Sequence, residues 1–379
     1  MAYKQQPGVI GCAIRPLISG QDRSLEEIMY DTVQLALADA NLTIEDIDGI
    51  VVASNDQFDG RAISVMMASG PVGGVDRDIL STPSASEHAF VMGALRVASG
   101  QYRTQLIVSW SPTEVSSLSE VQRLGNDPYF HRRLPLDELS AHALQAAALE
   151  ADVPGLHEIA EQIAAKNRHH GEYAAPKTRP QAGTERWPIT SSMTSQPVTG
   201  AVALILATPE FIAERGIVDV AWLKGMGWAT EAGFIGDREL TRASALEAAS
   251  QQAYAEAKID DPANAFDVVE ITDATPYTEL LAYEALGLCQ RDQWGAQVGA
   301  GKFQRDGALP VNPSGGVLTH NPVFCTGLVR ITEVANQVRG RAGDHQIDNV
   351  RCGLAHAASG FAMQYQSAVV FGREQGMSA

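Results

Sequence analysis

His320 and Asn321 stand side by side just after the turn Asn312-Pro313-Ser314-Gly315-Gly316. An imidazole titrates near neutral pH and suits proton transfer. An asparagine amide can donate a hydrogen bond to an oxygen on which charge develops, but it cannot carry a proton. A second histidine, His356, lies in GLAHAASGF ahead of Gly360, and its type again fits acid–base work. Asp273, in ITDATPYTELLAYEALGLC, reads either as a carboxylate facing a pocket that Tyr277 shares or as the N-cap of a helix from Pro276 to Leu286. Ser84, in STPSASEHAF, precedes an apolar run, and Glu87 three residues later completes the pattern of a capping box.

These residues need rigid elements to hold them. Pro313 and the paired glycines of NPSGG cannot be helix interior, because proline lacks a backbone donor and glycine frees the dihedrals. After the polar loop, Thr326 reads as an N-cap. Leu328, Val329, Ile331, Thr332, Val334, Ala335 and Val338 then give a helix that is apolar round much of its circumference, as a buried helix is. Gly340 ends it. Upstream, Val9–Ile14 reads as a strand. Ser24 and Glu27 form a capping box ahead of a helix running to Ala40, and Gly49–Ala53 forms the next strand. A mostly apolar helix over Ser84–Ala98 leads to a strand at Gln105–Ser109. The same sequence of elements returns later: a helix over Ala245–Ala257, a strand at Asp267–Ile271, the helix from Thr326 and a strand at Val350–Leu354. This is an internal duplication of a βαβ-rich unit, which implies two similar layered α/β halves. Residues 112–195 lack strand periodicity and carry helices at Ala141–Ala151 and Ile159–His169. Pro197–Ala207 is again a buried strand.

At 379 residues the chain is long for one core, and 45% hydrophobic content fits a well-buried globular protein. A net charge of -17 argues against nucleic acid or an anionic membrane as the main partner. Basic residues gather at Arg132, Arg133, Lys166, Arg168, Lys177, Arg179 and Arg186, either as a phosphate-binding patch or as a solvated surface. Cys12, Cys289, Cys325 and Cys352 are scattered, which points to a reducing cytoplasm and to neither a disulfide framework nor a metal site. The N-terminus has no long apolar run of the signal-peptide kind, and no window has the apolar length of a membrane span.

NPSGG, a short polar loop, and a Thr-Gly-initiated helix ending in QVRG resemble the C-terminal signature of the thiolase superfamily, with HNP where GHP is usual. The chain is similar to divergent thiolase-like proteins of the sterol-carrier-protein type. The resemblance implies a five-layered αβαβα fold built from two duplicated halves, residues 1–111 with 196–210 and residues 211–379. Residues 112–195 become an inserted loop domain covering the active site. The resemblance also assigns roles. Ser84 takes the place of the nucleophilic cysteine. There it is a nucleophile activated by His356 or His88, a serine put in place of a cysteine, or only a helix cap. His356 handles protons, His320 or Asn321 occupies the position of the usual histidine, and Asp273 orients a water or a histidine. Tyr277, Gly316 and Gly360 line the substrate site, and Arg132, Arg133 and Lys166 hold coenzyme A phosphates. No cofactor or metal is expected to be bound by the chain itself, with coenzyme A serving as substrate or carrier. A homodimer is expected, in complex with a small zinc-ribbon and OB-fold subunit. The implied activity is acyl transfer on CoA thioesters that makes or breaks the C–C bond of a β-ketoacyl compound. The alternatives are a retro-aldolase, which needs no acyl-enzyme and therefore no cysteine, and a non-catalytic scaffold subunit.

Overall fold

The computed structural model describes residues 5–16, 23–60, 62–83, 85–112, 117–174, 185–195 and 197–376. Among the described residues there are nine strands, β1 (Gly8–Pro16), β2 (Gly49–Ser54), β3 (Asp78–Pro83), β4 (Thr104–Ser111), β5 (Gly200–Ala207), β6 (Ala221–Thr230), β7 (Val268–Ile271), β8 (Cys352–Ser359) and β9 (Tyr365–Gly372). Their hydrogen-bonded order is β3-β2-β4-β5-β1-β6-β9-β8-β7. The order contains the duplication. Read outward from the middle, the first half runs β1-β5-β4-β2-β3 and the second runs β6-β9-β8-β7. Beyond β7, the place of β3 is taken by a single parallel bridge from Val269 to Val311. The halves join through two residue pairs, Gly8 with Trp222 and Val9 with Ala221.

Seven longer helices cover the sheet: α1 (Leu25–Asp39), α2 (Ser86–Ala98), α3 (Glu138–Asp152), α4 (Leu156–Ala174), α5 (Ser244–Ala257), α6 (Pro276–Ala285) and α7 (Thr326–Arg339). Successive residues of a strand face opposite ways, and here each face has its own core. Ile50, Val52, Leu106 and Val108 pack with α1 on one side. Val51, Ala53, Ile107, Val202 and Leu204 pack with α2 and α7 on the other. In the second half Val268, Ala355, Ala357 and Val369 face the same two helices, while Val269, Ile271, Leu354 and Val370 face α3 to α6. The result is five layers with α2 and α7 in the middle. Leu328, Val329, Ile331, Val334 and Val338 of α7 are at most 1% exposed. At roughly 1.5–3 kcal/mol for each fully buried side chain, this apolar surface holds the helix between the two half-sheets.

Several boundaries differ from the sequence reading. Helix α2 begins at Ser86 with Ala85 as its N-cap and no side-chain cap, so Glu87 is not the third residue of a capping box with Ser84. Thr326 is the first residue of α7 rather than its cap, because its hydroxyl turns back to the Val323 carbonyl. The cap of α6 is Thr275, which exchanges hydrogen bonds with Thr278, and not Asp273. The strand expected at Val350–Leu354 runs from Cys352 to Ser359, which places His356 inside it.

Candidate active site at the tips of the two central helices

The N-termini of α2 and α7 meet. The Leu328 N–H, in the first turn of α7, donates to Ser86 Oγ at 2.9 Å. A helix start has backbone donors with no partner inside the helix and a partial positive charge, so two such ends side by side favour an electron-rich group. Glu87, the second residue of α2, is fully buried there. Ser359, at the end of β8, donates to Glu87 Oε1 at 2.5 Å, while Oε2 has no hydrogen-bond partner. Gly327 of α7 lies against that free oxygen, and a Cβ at position 327 would collide with it. Burial pushes the Glu87 carboxyl up to about 7, against the smaller opposing effect of the Ser359 hydrogen bond. Ser84 lies outside the described residues.

The second half holds a different cluster. Arg330 of α7, 1% exposed, pairs with Glu270 at 2.5 Å and donates to Ser314 Oγ at 2.7 Å. Burial raises the pKa of Glu270, against the Arg330 charge. Lys166 is also buried, with its ammonium 2.8 Å from Glu279 and 3.0 Å from the Val311 carbonyl oxygen. It is an interior ion pair rather than part of a surface patch for phosphates. Glu279 further accepts from Tyr283, Asn167 and Asn312. Asp273 belongs to this cluster. It accepts from Asn167 Nδ2 at 2.7 Å and from the Val317 N–H at 2.6 Å. Its pKa is raised by burial first and by the Glu279 charge second. Gly316, at φ +65°, is required beside it because a side chain there would collide with the carboxylate.

The remaining expected residues are scattered. His320 is buried with no partner for Nε2, and burial, reinforced by the Arg330 charge, pushes it down to about 4. Its ring is therefore neutral at physiological pH. Asn321 fastens the loop: its Oδ1 accepts from the Val323 N–H at 3.2 Å and its Nδ2 donates to Ser195 Oγ at 3.0 Å. His356 and Ser359 are an odd number of residues apart on β8, so they face opposite sides of the sheet. The His356 ring bonds Gln366 Oε1 through Nε2 at 2.7 Å, and the Gln366 amide donates to the Met363 carbonyl at 2.8 Å. This arrangement places the ring proton on Nε2 and leaves Nδ1 as an unpartnered acceptor. Burial pushes His356 down to about 4. Tyr277 does not share a pocket with Asp273, because its hydroxyl bonds Glu150 at 2.7 Å and His157 at 3.0 Å. Gly360 takes φ +76° at the turn between β8 and β9. Arg132 donates to the carbonyls of Leu124 and Asn126 and so closes a loop, whereas Arg133 is exposed. Arg168 donates to the carbonyls of Ser192 and Thr194, and Lys177 and Arg179 lie outside the described residues.

The sequence reading missed Glu87 as a lone buried carboxyl, with Ser359 and Gly327 beside it. The one available signal was an acid opening an otherwise apolar helix, SEHAFVMGALRVA. It also missed the pairing of Arg330 with Glu270. Burial raises the pKa of all four thiols, Cys12 to about 12 and Cys352 to about 11, with Cys289 and Cys325 raised as well. Among the described residues, no group of His, Cys, Asp or Glu is placed to hold a metal, and no helix is long and apolar enough to cross a membrane.

Known proteins resemble the chain in part by sequence and throughout by fold. Residues 228–373 match the family described as thiolase C-terminal domain-like. An acetyl-CoA acetyltransferase of Methanothermobacter thermautotrophicus is 30% identical over 166 residues, 43% of this chain and 43% of that protein. Sterol carrier protein 2 of Rattus norvegicus is 42% identical over 91 residues, 24% of this chain and 17% of that protein. The aligned stretches thus span less than half the length of these relatives. The solved structure of an Ltp2-ChsH2(DUF35) aldolase superposes with a TM-score of 0.81 at 19% identity, covering 100% of both chains, a likeness of fold.

Proposed function

Proceeding from a chain that is thiolase-like in fold and whose residues 228–373 match the thiolase C-terminal domain-like family, we propose an enzyme of CoA-thioester C–C chemistry. It breaks or forms the Cα–Cβ bond of an acyl thioester in the aldol sense, without an acyl-enzyme. The carrying observation is the state of the cysteines: none stands at the entrance of α2, and burial raises the pKa of every thiol. A thiolate nucleophile needs the opposite shift. The paired helix ends suit a different task, the stabilisation of a thioester enolate by backbone donors.

Written as cleavage, the step balances without added reactants. A base removes the proton of a β-hydroxyl, the Cα–Cβ bond breaks, and its electrons pass to the thioester as an enolate. The enolate then takes that proton at Cα. The products are a ketone or aldehyde and a shorter acyl-CoA. His320, neutral and with a free Nε2, is the proposed base. The likeness to an Ltp2-ChsH2(DUF35) aldolase, named for two components, supports this reading and work in complex with a partner; that the complex is a homodimer with a small zinc-ribbon and OB-fold subunit is a further part of the proposal. A second reading is acyl transfer through Ser84, supported by the acetyl-CoA acetyltransferase relative.

The two readings separate in one assay. The chain, alone and with its co-purifying proteins, is given a β-hydroxyacyl-CoA without free coenzyme A, and in parallel a β-ketoacyl-CoA with it. Release of a carbonyl compound and a shorter acyl-CoA in the first reaction is expected. Turnover only in the second, with an acyl mass on Ser84, would overturn the aldol reading.

A further inference from the structure

Resting on the reading above, we propose that Glu87 is a catalytic acid that works uncharged, its Oε2–H donating a hydrogen bond to the thioester oxygen as that oxygen becomes an enolate. The argument begins with the hydrogen bonds. Oε1 accepts from Ser359 and Oε2 has no partner, so the proton of the neutral acid belongs on Oε2. That oxygen is buried against Gly327 of α7, at a place where any side chain would collide with it. The groups that touch the carboxyl, Ser359 of β8 and Gly327 of α7, do not titrate near neutral pH. The adjacent histidine on its own helix, His88, is turned to the Tyr365 ring at 5.4 Å and is itself held neutral by burial. No cation among the described residues pairs with Glu87, and its burial keeps the proton on up to about 7. In its uncharged form such a carboxyl is a hydrogen-bond donor in a low-dielectric site, beside two helix ends that favour the same developing charge. His320 carries the proton inventory of the reaction, and Glu87 ends each cycle as it began.

The role predicts a pattern across two substitutions. Glu87→Ala removes the donor and should lower kcat roughly 10²–10³-fold, the usual loss for one such donor, with little change in KM. Glu87→Gln keeps an uncharged donor at the same place. It should retain well more activity than the Ala variant and abolish the wild type's fall in rate as pH rises through about 7. A Gln variant as inactive as the Ala variant, or one with the alkaline limb unchanged, would overturn the proposal. Infrared difference spectroscopy gives a readout independent of turnover. A protonated-carboxyl band that Glu87→Gln removes should shift when a non-cleavable CoA thioester binds. A band unmoved by that ligand overturns the role of Glu87 whether or not turnover occurs. A band that shifts in an enzyme that cleaves no thioester refutes the reaction and supports the contact.

Discussion

The two central helices occupy equivalent places in the duplicated halves, yet their polar groups are treated in opposite ways. On α7, Arg330 meets Glu270 and Ser314, and the neighbouring carboxylates of Glu279 and Asp273 are met by Lys166, Asn167 and backbone donors. Buried charge is matched there, as it must be when water is excluded. On α2, Glu87 has one hydroxyl and no cation. A scaffold that can pair a carboxylate with arginine on one helix leaves the corresponding end of the other unpaired. The first arrangement fixes the Gly-rich loop. The second leaves a buried carboxyl whose protonation depends on pH.

The largest expected effect would break the paired side. Arg330→Ala strands Glu270 in the core and should lower the unfolding free energy by about 3–5 kcal/mol, measured by urea titration. A loss below about 1 kcal/mol would mean that the pair is hydrated. The unpaired side should respond in the other direction. The Glu87 carboxyl has a folded-state pKa near 7, against 4.5 as its ordinary value. The folded protein therefore holds this proton more tightly than the unfolded chain. The resulting stability is fully present below about 4.5 and is lost as pH rises through about 7. Glu87→Gln should lose less stability than the wild type across that window and gain roughly 3 kcal/mol on it by pH 8, because the raised Asp273 and Glu270 carboxyls are common to both proteins. The same change in denaturation midpoint between pH 5 and pH 8 in both proteins would rule this out. Gly327→Ala places a methyl group against Glu87 Oε2. It should cost about 1–3 kcal/mol as overpacking and lower turnover, whereas a variant with wild-type kcat would show that nothing has to enter there. The smallest effect sharpens the contrast from outside both tips. Tyr277→Phe loses hydrogen bonds to Glu150 and His157 and should cost about 0.5–1.5 kcal/mol in the same titration.

The sequence by itself determined the frame. Apolar runs bounded by glycine and proline set the strands, and 3.6-residue spacing set the helices. The recurrence of helix, acidic turn and strand set the two halves, because local sterics and burial periodicity act within a few residues. The Ser24–Glu27 capping box formed as its spacing required. Partners distant in the chain were decided by the tertiary structure alone. Asp273 read either as a pocket carboxylate or as a helix cap until the Gly316 turn brought the Val317 N–H to it. Lys166 looked like a surface cation until α4 carried it to Glu279. His356 looked like part of the Gly-rich segment before Gly360 until a strand carried it to the face opposite Ser359. Glu87 looked like half of a cap until α2 began one turn position later and directed it to Ser359. Its charge state is set by how much water the surrounding layers exclude, and that depends on the packing of both halves around it.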